Sequence, residues 1–120
     1  MEIQDRALEF GVEILKFAER LPKSQVGNVL VRQLVRSGTS IGANLEEADG
    51  ASSKKDFINK VLISRKEARE TRYWLQLMKK ADYINSPNNK VLLDKLIKES
   101  YELMKILSAI ANKAREKEKI

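Results

Sequence analysis

Residues 34–45 read LVRSGTSIGANL, and the fold depends on whether this stretch is a helix or a loop. Gly, Ser, Thr and Asn are poor helix formers, and Gly costs about 1 kcal/mol relative to Ala inside a helix. The apolar residues nevertheless keep a helical phase, because Ile41 and Leu45 follow Leu34 after seven and then four positions. We therefore interpret the stretch as the middle of one helix, with a loop as the alternative.

This second helix extends outward from the stretch in both directions. It opens at Ser24, a good N-cap residue, and ends at Asp49-Gly50. Its apolar positions are Val26, Leu30, Leu34, Ile41, Leu45 and Ala48.

A first helix precedes it, because apolar residues recur there at alternating intervals of four and three. They are Ile3, Ala7, Phe10, Ile14, Phe17 and Leu21. Leu8, Leu15 and Ala18 widen this face into a second apolar stripe. Pro22 ends the helix, since the residue before a proline is pushed away from helical backbone angles.

Two further helices follow. The third begins after Ser53, and its core face holds Phe57, Val61, Ser64, Ala68, Thr71, Leu75 and Met78. A break at Asn85-Ser86-Pro87 separates it from the fourth, with Pro87 at the first helical position. The core face of the fourth holds Leu93, Leu96, Ser100, Leu103, Leu107, Ile110 and Ala114, before a charged tail at 115–119. Short connections between long amphipathic helices predict one all-α domain over residues 1–120, an antiparallel up-down-up-down four-helix bundle.

Composition narrows the classes of function. The 120 residues include no Cys and no His, which excludes disulfides, thiolate metal sites, a cysteine nucleophile and a histidine base. No apolar run approaches the roughly 20 residues that span a bilayer. The first five residues lack the pattern of a signal peptide. We expect a cytoplasmic protein with no cofactor, no metal and no membrane partner.

Five carboxylates are candidates for a Mg²⁺ site of the kind used by all-α nucleotide pyrophosphohydrolases: Glu46, Glu47, Asp49, Glu67 and Glu70. In an antiparallel hairpin, the two groups would lie about 10 residues apart along the axis, roughly 15 Å. One ion cannot bridge that distance. We instead expect Glu67 and Glu70 to pair with Arg36 and Arg32, and we predict that the protein is not an enzyme.

A basic stripe on the third helix is the most suggestive functional feature. It consists of Arg65, Arg69, Arg72 and Lys79, at intervals of four, three and seven, with Lys66 and Lys80 beside it. From Ser53 to Asp82 there are nine basic and four acidic residues, so this segment carries +5 of the chain's net charge of +6. Cations at helical spacing can follow the phosphates of a nucleic acid. Arg32 and Arg36 are secondary candidates, and a solvated face with ion pairs is the alternative.

Small and polar residues on the second helix indicate close packing. Arg36, Ser40 and Asn44 share one face, and Ser40 and Asn44 are expected to hydrogen-bond across the bundle. We expect a tight helix crossing or a subunit contact, with a ligand site as the alternative. The residues assigned to this packing or contact role are Ser37, Gly38, Ser40, Gly42, Asn44 and Trp74.

The run QLVRSGTSIGANLEEA at 33–48 resembles the signature of the 23S rRNA intervening-sequence protein family, the four helix bundle proteins. LPKS at 21–24 and KEARETRYWL at 66–75 resemble the same family, in the same order. The resemblance implies a four-helix bundle that assembles into a ring-like homopentamer. A related protein, the accessory variability determinant of diversity-generating retroelements, is a basic pentamer that binds a reverse transcriptase and nucleic acid.

Two functions follow as hypotheses. The first is a non-enzymatic homo-oligomeric scaffold that binds RNA or DNA through the basic stripe. The alternative is a protein-interaction adaptor that docks a partner such as a reverse transcriptase, with nucleic acid incidental. Apolar residues beyond the bundle seam, including the second stripe of the first helix, Trp74, Leu77 and Tyr101, fit self-association in either case.

Overall fold

The computed structural model describes residues 2–118, and four helices contain most of them. They are α1 (Glu2–Ala18), α2 (Gln25–Asp49), α3 (Lys54–Lys80) and α4 (Pro87–Glu118). Within residues 2–118 there is no strand, and the helices form a rod of 52 × 20 × 20 Å. The prediction of an all-α four-helix bundle is confirmed. The glycine-containing stretch at 34–45 is helical throughout, so the loop alternative is wrong.

Two serines start helices as the sequence predicts. Ser24 and Ser53 have extended backbones, and their side chains accept hydrogen bonds from Gly27 N at 3.0 Å and Asp56 N at 3.1 Å. Each bond satisfies a backbone N–H in the first helical turn, where no carbonyl partner is available.

Two helix ends differ from the prediction. α1 stops at Ala18, three residues before Leu21, because the last turn tightens: the Leu21 amide bonds to the Ala18 carbonyl at 3.2 Å. Leu21 is still buried. At the other end of the chain, α4 continues through the charged segment to Glu118. Alternating Lys, Arg and Glu are good helix formers, which explains why charge alone does not end this helix.

The core contains most of the apolar positions that the spacing predicts, but five of them are not buried, and two of these, Leu30 and Ala114, are partly buried. Ile58 and Ala111 are buried, while the predicted Phe57 and Ile110 are only partly buried. Val26 is 61% exposed, because it lies in the first turn of α2 on the side away from the core. Fully buried residues include Ile14, Phe17, Leu34, Ile41, Leu45, Leu75, Leu103 and Leu107.

Each helix contacts its two neighbours in the order α1, α2, α3, α4, and α1 closes the ring against α4. The α1–α4 contact is the least extensive of the four. A buried hydrogen bond joins α3 to α2: Ser64 Oγ donates to the carbonyl of Ile41 at 2.8 Å. Among the described residues, no helix is long and apolar enough to cross a membrane.

Candidate nucleic-acid interface

Three members of the basic stripe face α4 in a regular series. Arg65, Arg72 and Lys79 are seven residues apart, so they lie on one side of α3 at intervals of roughly 10 Å. Arg65 donates to Ser108 Oγ at 3.3 Å, the Arg72 guanidinium lies over Tyr101, and Lys79 pairs with Asp94 at 2.8 Å. The α4 partners are also seven residues apart.

Tyr101 is the centre of this series. The guanidinium carbon of Arg72 lies 5.0 Å from its ring centroid, and Lys105 Nζ lies 4.9 Å from the same centroid. Lys105 also pairs with Glu102 at 2.9 Å, and this hydrogen bond is the main reason that the pKa of Glu102 is lowered. The electron-rich ring attracts both cations and holds them near one point of the surface.

The remaining stripe residue, Arg69, is exposed, as are the flanking Lys66 and Lys80. Within residues 2–118, none of these three side chains forms an ion pair. The same holds for Arg65 and Arg72. Among the ion pairs of the described residues, Lys79 is the only stripe residue paired with a carboxylate. The positive charge therefore remains available to an external anion.

Arg36 is engaged elsewhere. Its guanidinium pairs with Glu67 at 3.2 Å and also with Glu70, which raises the pKa of Arg36 chiefly through the Glu70 hydrogen bond. The predicted pair between Arg32 and Glu70 is therefore wrong, because the two terminal nitrogens of Arg36 bind both carboxylates. Arg32 is exposed and forms no ion pair within the described residues. Arg36 links α2 to α3 and has less free charge to offer a ligand than Arg32.

The small residues of α2 lie where that helix packs against α1. A Cβ atom on Gly38 would lie 2.9 Å from Ile14 Cγ2, and one on Gly42 would lie 3.7 Å from the Ala7 backbone. The polar side chains bond within their own helix: Ser37 Oγ donates to Gln33 O at 2.9 Å. The bonds expected across the bundle from Ser40 and Asn44 are not formed within residues 2–118.

Those two residues also bond to their own helix. Ser40 Oγ donates to Arg36 O at 2.6 Å, and Asn44 Nδ2 donates to Ser40 O at 2.8 Å. A polar side chain inside a helix can reach the carbonyl four residues earlier, and this local bond satisfies it without a partner on another helix. Ser64 makes the bond across the core instead.

Trp74 and Tyr73 form an aromatic pair at the surface of α3. Their ring centroids are 5.3 Å apart, with an edge-to-face angle of 72°. Tyr73 is 56% exposed, whereas Trp74 is partly buried against the core. The Trp74 Nε1 and Arg72 Nε atoms are buried without a hydrogen-bond partner in the part of the chain that the structure describes.

Three of the carboxylates considered for a metal site form ion pairs with basic side chains instead of meeting one another. Glu47 pairs with Lys60 at 3.3 Å, while Glu67 and Glu70 pair with Arg36. Residues 2–118 contain no group of three acidic side chains that could hold a metal ion.

Sequence reasoning missed the contribution of α4 to this surface. Tyr101 contacts Arg72, Ser108 contacts Arg65, and Lys105 lies over the Tyr101 ring. Of these α4 residues, the sequence singled out Tyr101 alone, as an apolar residue outside the bundle seam. The signal was present, because positions 94, 101 and 108 repeat the interval of seven found in the basic stripe.

Comparisons with known proteins agree with this architecture. A family model described as 23S rRNA-intervening sequence protein matches residues 1–109. The chain is also similar to a crystal structure from Bacteroides thetaiotaomicron, described as a protein with unknown function from the S23 ribosomal protein family. The two share 41% identity with a TM-score of 0.81, over 91% of this chain and 97% of that one. No curated protein matches this chain.

Proposed function

The chain belongs to the 23S rRNA-intervening sequence protein family, and on this premise we propose that it is a non-enzymatic, self-associating protein that binds RNA or DNA through its basic stripe. The proposal rests on one observation. Arg65, Arg69 and Arg72 share a face of α3, and none of them pairs with a carboxylate within the described residues. Unpaired arginines in a row are suited to phosphates.

The charge distribution supports the same function. α3 contains nine basic and three acidic residues, and nine minus three is +6. The other helices and connections therefore sum to zero, since the whole chain carries +6. A field concentrated on one helix attracts a polyanion to that side of the molecule. The family name associates its members with intervening sequences of 23S rRNA, which makes structured RNA the first ligand to test.

We expect unmodified protein to bind a fluorescein-labelled RNA hairpin with strong salt dependence. Three phosphate contacts release about three counterions, so affinity should fall roughly 40-fold between 50 and 200 mM salt. Fluorescence anisotropy at several salt concentrations measures this slope. A DNA hairpin of the same sequence, run in parallel, separates RNA preference from general affinity for phosphate. If neither probe binds at 50 mM salt or below, the proposed function is wrong.

Exposed apolar residues support self-association. Leu8, Val12 and Leu15 form a stripe on α1 with exposed fractions of 69%, 36% and 47%, and Tyr73 and Leu77 are exposed on α3. Apolar stripes of this kind mark interaction surfaces. In a ring with an odd number of subunits, each contact joins two different surfaces. We propose that the α1 stripe of one subunit packs against Tyr73 and Leu77 of the next, in the pentamer that the family resemblance implies.

The absence of natural cysteine allows a direct test of this contact. A Leu15→Cys, Leu77→Cys double variant is expected to give, on mild oxidation, a ladder of linked subunits that ends at the pentamer. Each single variant is expected to remain unlinked, because its cysteine faces a different surface. Non-reducing electrophoresis distinguishes the outcomes. Efficient linking of Leu15→Cys alone would indicate a face-to-face dimer and contradict the proposed contact.

A further inference from the structure

A groove of about 680 Å³ lies between α1 and α4, on a different side of the bundle from the α3–α4 surface. It forms because these two helices contact each other least extensively. Its floor is apolar and includes Phe10 and Leu96. Its α1 wall carries Glu2, Asp5, Glu9 and Glu13, at intervals of three, four and four, so the carboxylates follow one face of the helix.

This wall has the opposite charge to the rest of the protein. α1 contains four acidic and two basic residues, so its net charge is −2 in a chain of +6. None of Glu2, Asp5, Glu9 and Glu13 forms an ion pair within residues 2–118. The whole groove lining has five acidic residues against two basic ones, Arg6 and Lys95, and its net charge of −3 favours an external cation.

One ion pair connects the two walls. Arg6 donates to both carboxylate oxygens of Glu99, from Nε to Oε2 and from its terminal nitrogen to Oε1, each at 2.7 Å. This two-point contact is the main cause of the raised pKa of Arg6. Because a bidentate pair fixes both side chains, Arg6 and Glu99 link α1 to α4 at the groove.

We infer that the α1–α4 groove docks a cationic amphipathic helix of a partner protein. The chemistry of the groove matches such a helix: apolar side chains would pack on the partly buried Leu92, which lies above Phe10 and Leu96, and lysines or arginines would face the α1 carboxylates. The acidic wall runs from Glu2 to Glu13, a length of roughly 16 Å, which accommodates about three helical turns. The basic stripe repels the same partner, so binding is directed to this groove.

The probe is a fluorescein-labelled peptide of leucine and lysine, roughly 14 residues long and patterned as an amphipathic helix. We expect it to bind the full chain at low salt and to gain helicity on binding. The matched peptide with glutamate in place of lysine is expected not to bind. Fluorescence anisotropy measures affinity, and circular dichroism measures the helicity gained.

Two triple variants locate the binding site. Asp5→Asn, Glu9→Gln and Glu13→Gln together remove three charges from the groove and should weaken binding about tenfold. Glu46→Gln, Glu47→Gln and Asp49→Asn together remove the same charge from α2 and should change it less than twofold, by roughly 0.4 kcal/mol at most. Equal effects of the two triples would mean nonspecific attraction and overturn the inference.

A second copy of the chain is the competing occupant, and the same variants identify it. If the groove holds another subunit, the α1 triple will change the mass of the assembly, measured by light scattering, and the peptide will not bind to the intact assembly. Either result overturns the inference. An unchanged mass together with selective loss of peptide binding supports it. None of these outcomes depends on whether the basic stripe binds nucleic acid.

Discussion

Replacing Arg65, Arg69 and Arg72 with glutamine is expected to weaken binding to an RNA hairpin by about 500-fold near 0.1 M salt. Each phosphate contact contributes roughly 0.9 of a decade at that concentration, so three contacts contribute about 2.7 decades. The slope of log affinity against log salt should flatten by nearly three at the same time. These two quantities come from one anisotropy series, and both must change if the arginines contact phosphate.

A matched variant removes the same charge from elsewhere on the surface. Lys16, Lys23 and Lys113 are exposed residues outside the basic stripe, and replacing them with glutamine lowers the net charge from +6 to +3, as the arginine triple does. This control should weaken binding by about tenfold or less, since these lysines act only through the long-range field. Equal losses in the two triples would show that total charge, not the stripe, governs binding.

Arg72 requires a separate check on folding, because its guanidinium lies over Tyr101 and its Nε atom is buried. The loss of one partly exposed cation–π contact is worth about 0.5–1 kcal/mol, too little to unfold the bundle. An Arg65→Gln, Arg69→Gln double variant leaves that contact intact and should still lose about 60-fold in affinity. Retained helicity in both variants assigns the loss to binding.

The fold could be predicted from the sequence because the spacing of the apolar residues identifies each of the four segments as a helix. The helical phase of Leu34 resumes at Ile41 and Leu45, seven and then four residues on, and burial of that face outweighs the poor intrinsic propensity of Gly38 and Gly42. The end of α1 was less predictable. Pro22 shows that α1 must end before residue 22. The tighter turn after Ala18 depends on packing against the rest of the protein, which the local sequence does not indicate.

Only the part of the candidate site that lies on α3 could be predicted from the sequence. Spacing identifies which cations share a face of α3, but not which residues of another helix they meet. Tyr101 and Lys105 became part of the surface because α4 packs at a particular register and rotation. The choice of Arg36 over Arg32 as the partner of Glu70 has the same origin, since the register of α2 against α3 decides between two arginines one turn apart.

Gly27→Ala is expected to destabilise the protein by about 3 kcal/mol, the largest loss among the single glycine substitutions. A Cβ atom at this position would overlap the carbonyl oxygen of Pro22 and lie 2.9 Å from Tyr83 Oη. The Pro22 backbone cannot move aside easily, because the ring fixes its φ angle and the segment joins α1 to α2. Thermal unfolding followed by circular dichroism should show a melting temperature lower by about 10 °C.

The other glycines form a graded series that separates packing from helix propensity. Gly38→Ala meets Ile14 Cγ2 at 2.9 Å and Ile14 Cβ at 3.3 Å, and this buried β-branched side chain is stiff, so the variant should lose about 1–2 kcal/mol; the loss is smaller than at Gly27 because the overlap is smaller. Gly42→Ala makes only an ordinary 3.7 Å contact with Ala7. Gly11→Ala has no neighbouring atom within 4 Å and should raise stability by about 0.5–1 kcal/mol, because alanine favours helix.

The order of these four variants tests how α1, α2 and the connection between them fit together. Sequence reasoning assigned close approach to Gly38 and Gly42, whereas the geometry places the tightest contact at Gly27, in the first turn of α2. If helix propensity alone governed stability, all four alanines would stabilise to a similar degree. A Gly27→Ala variant as stable as Gly11→Ala would mean that the Pro22 backbone relaxes freely, and that the α1–α2 connection does not hold the helices in register.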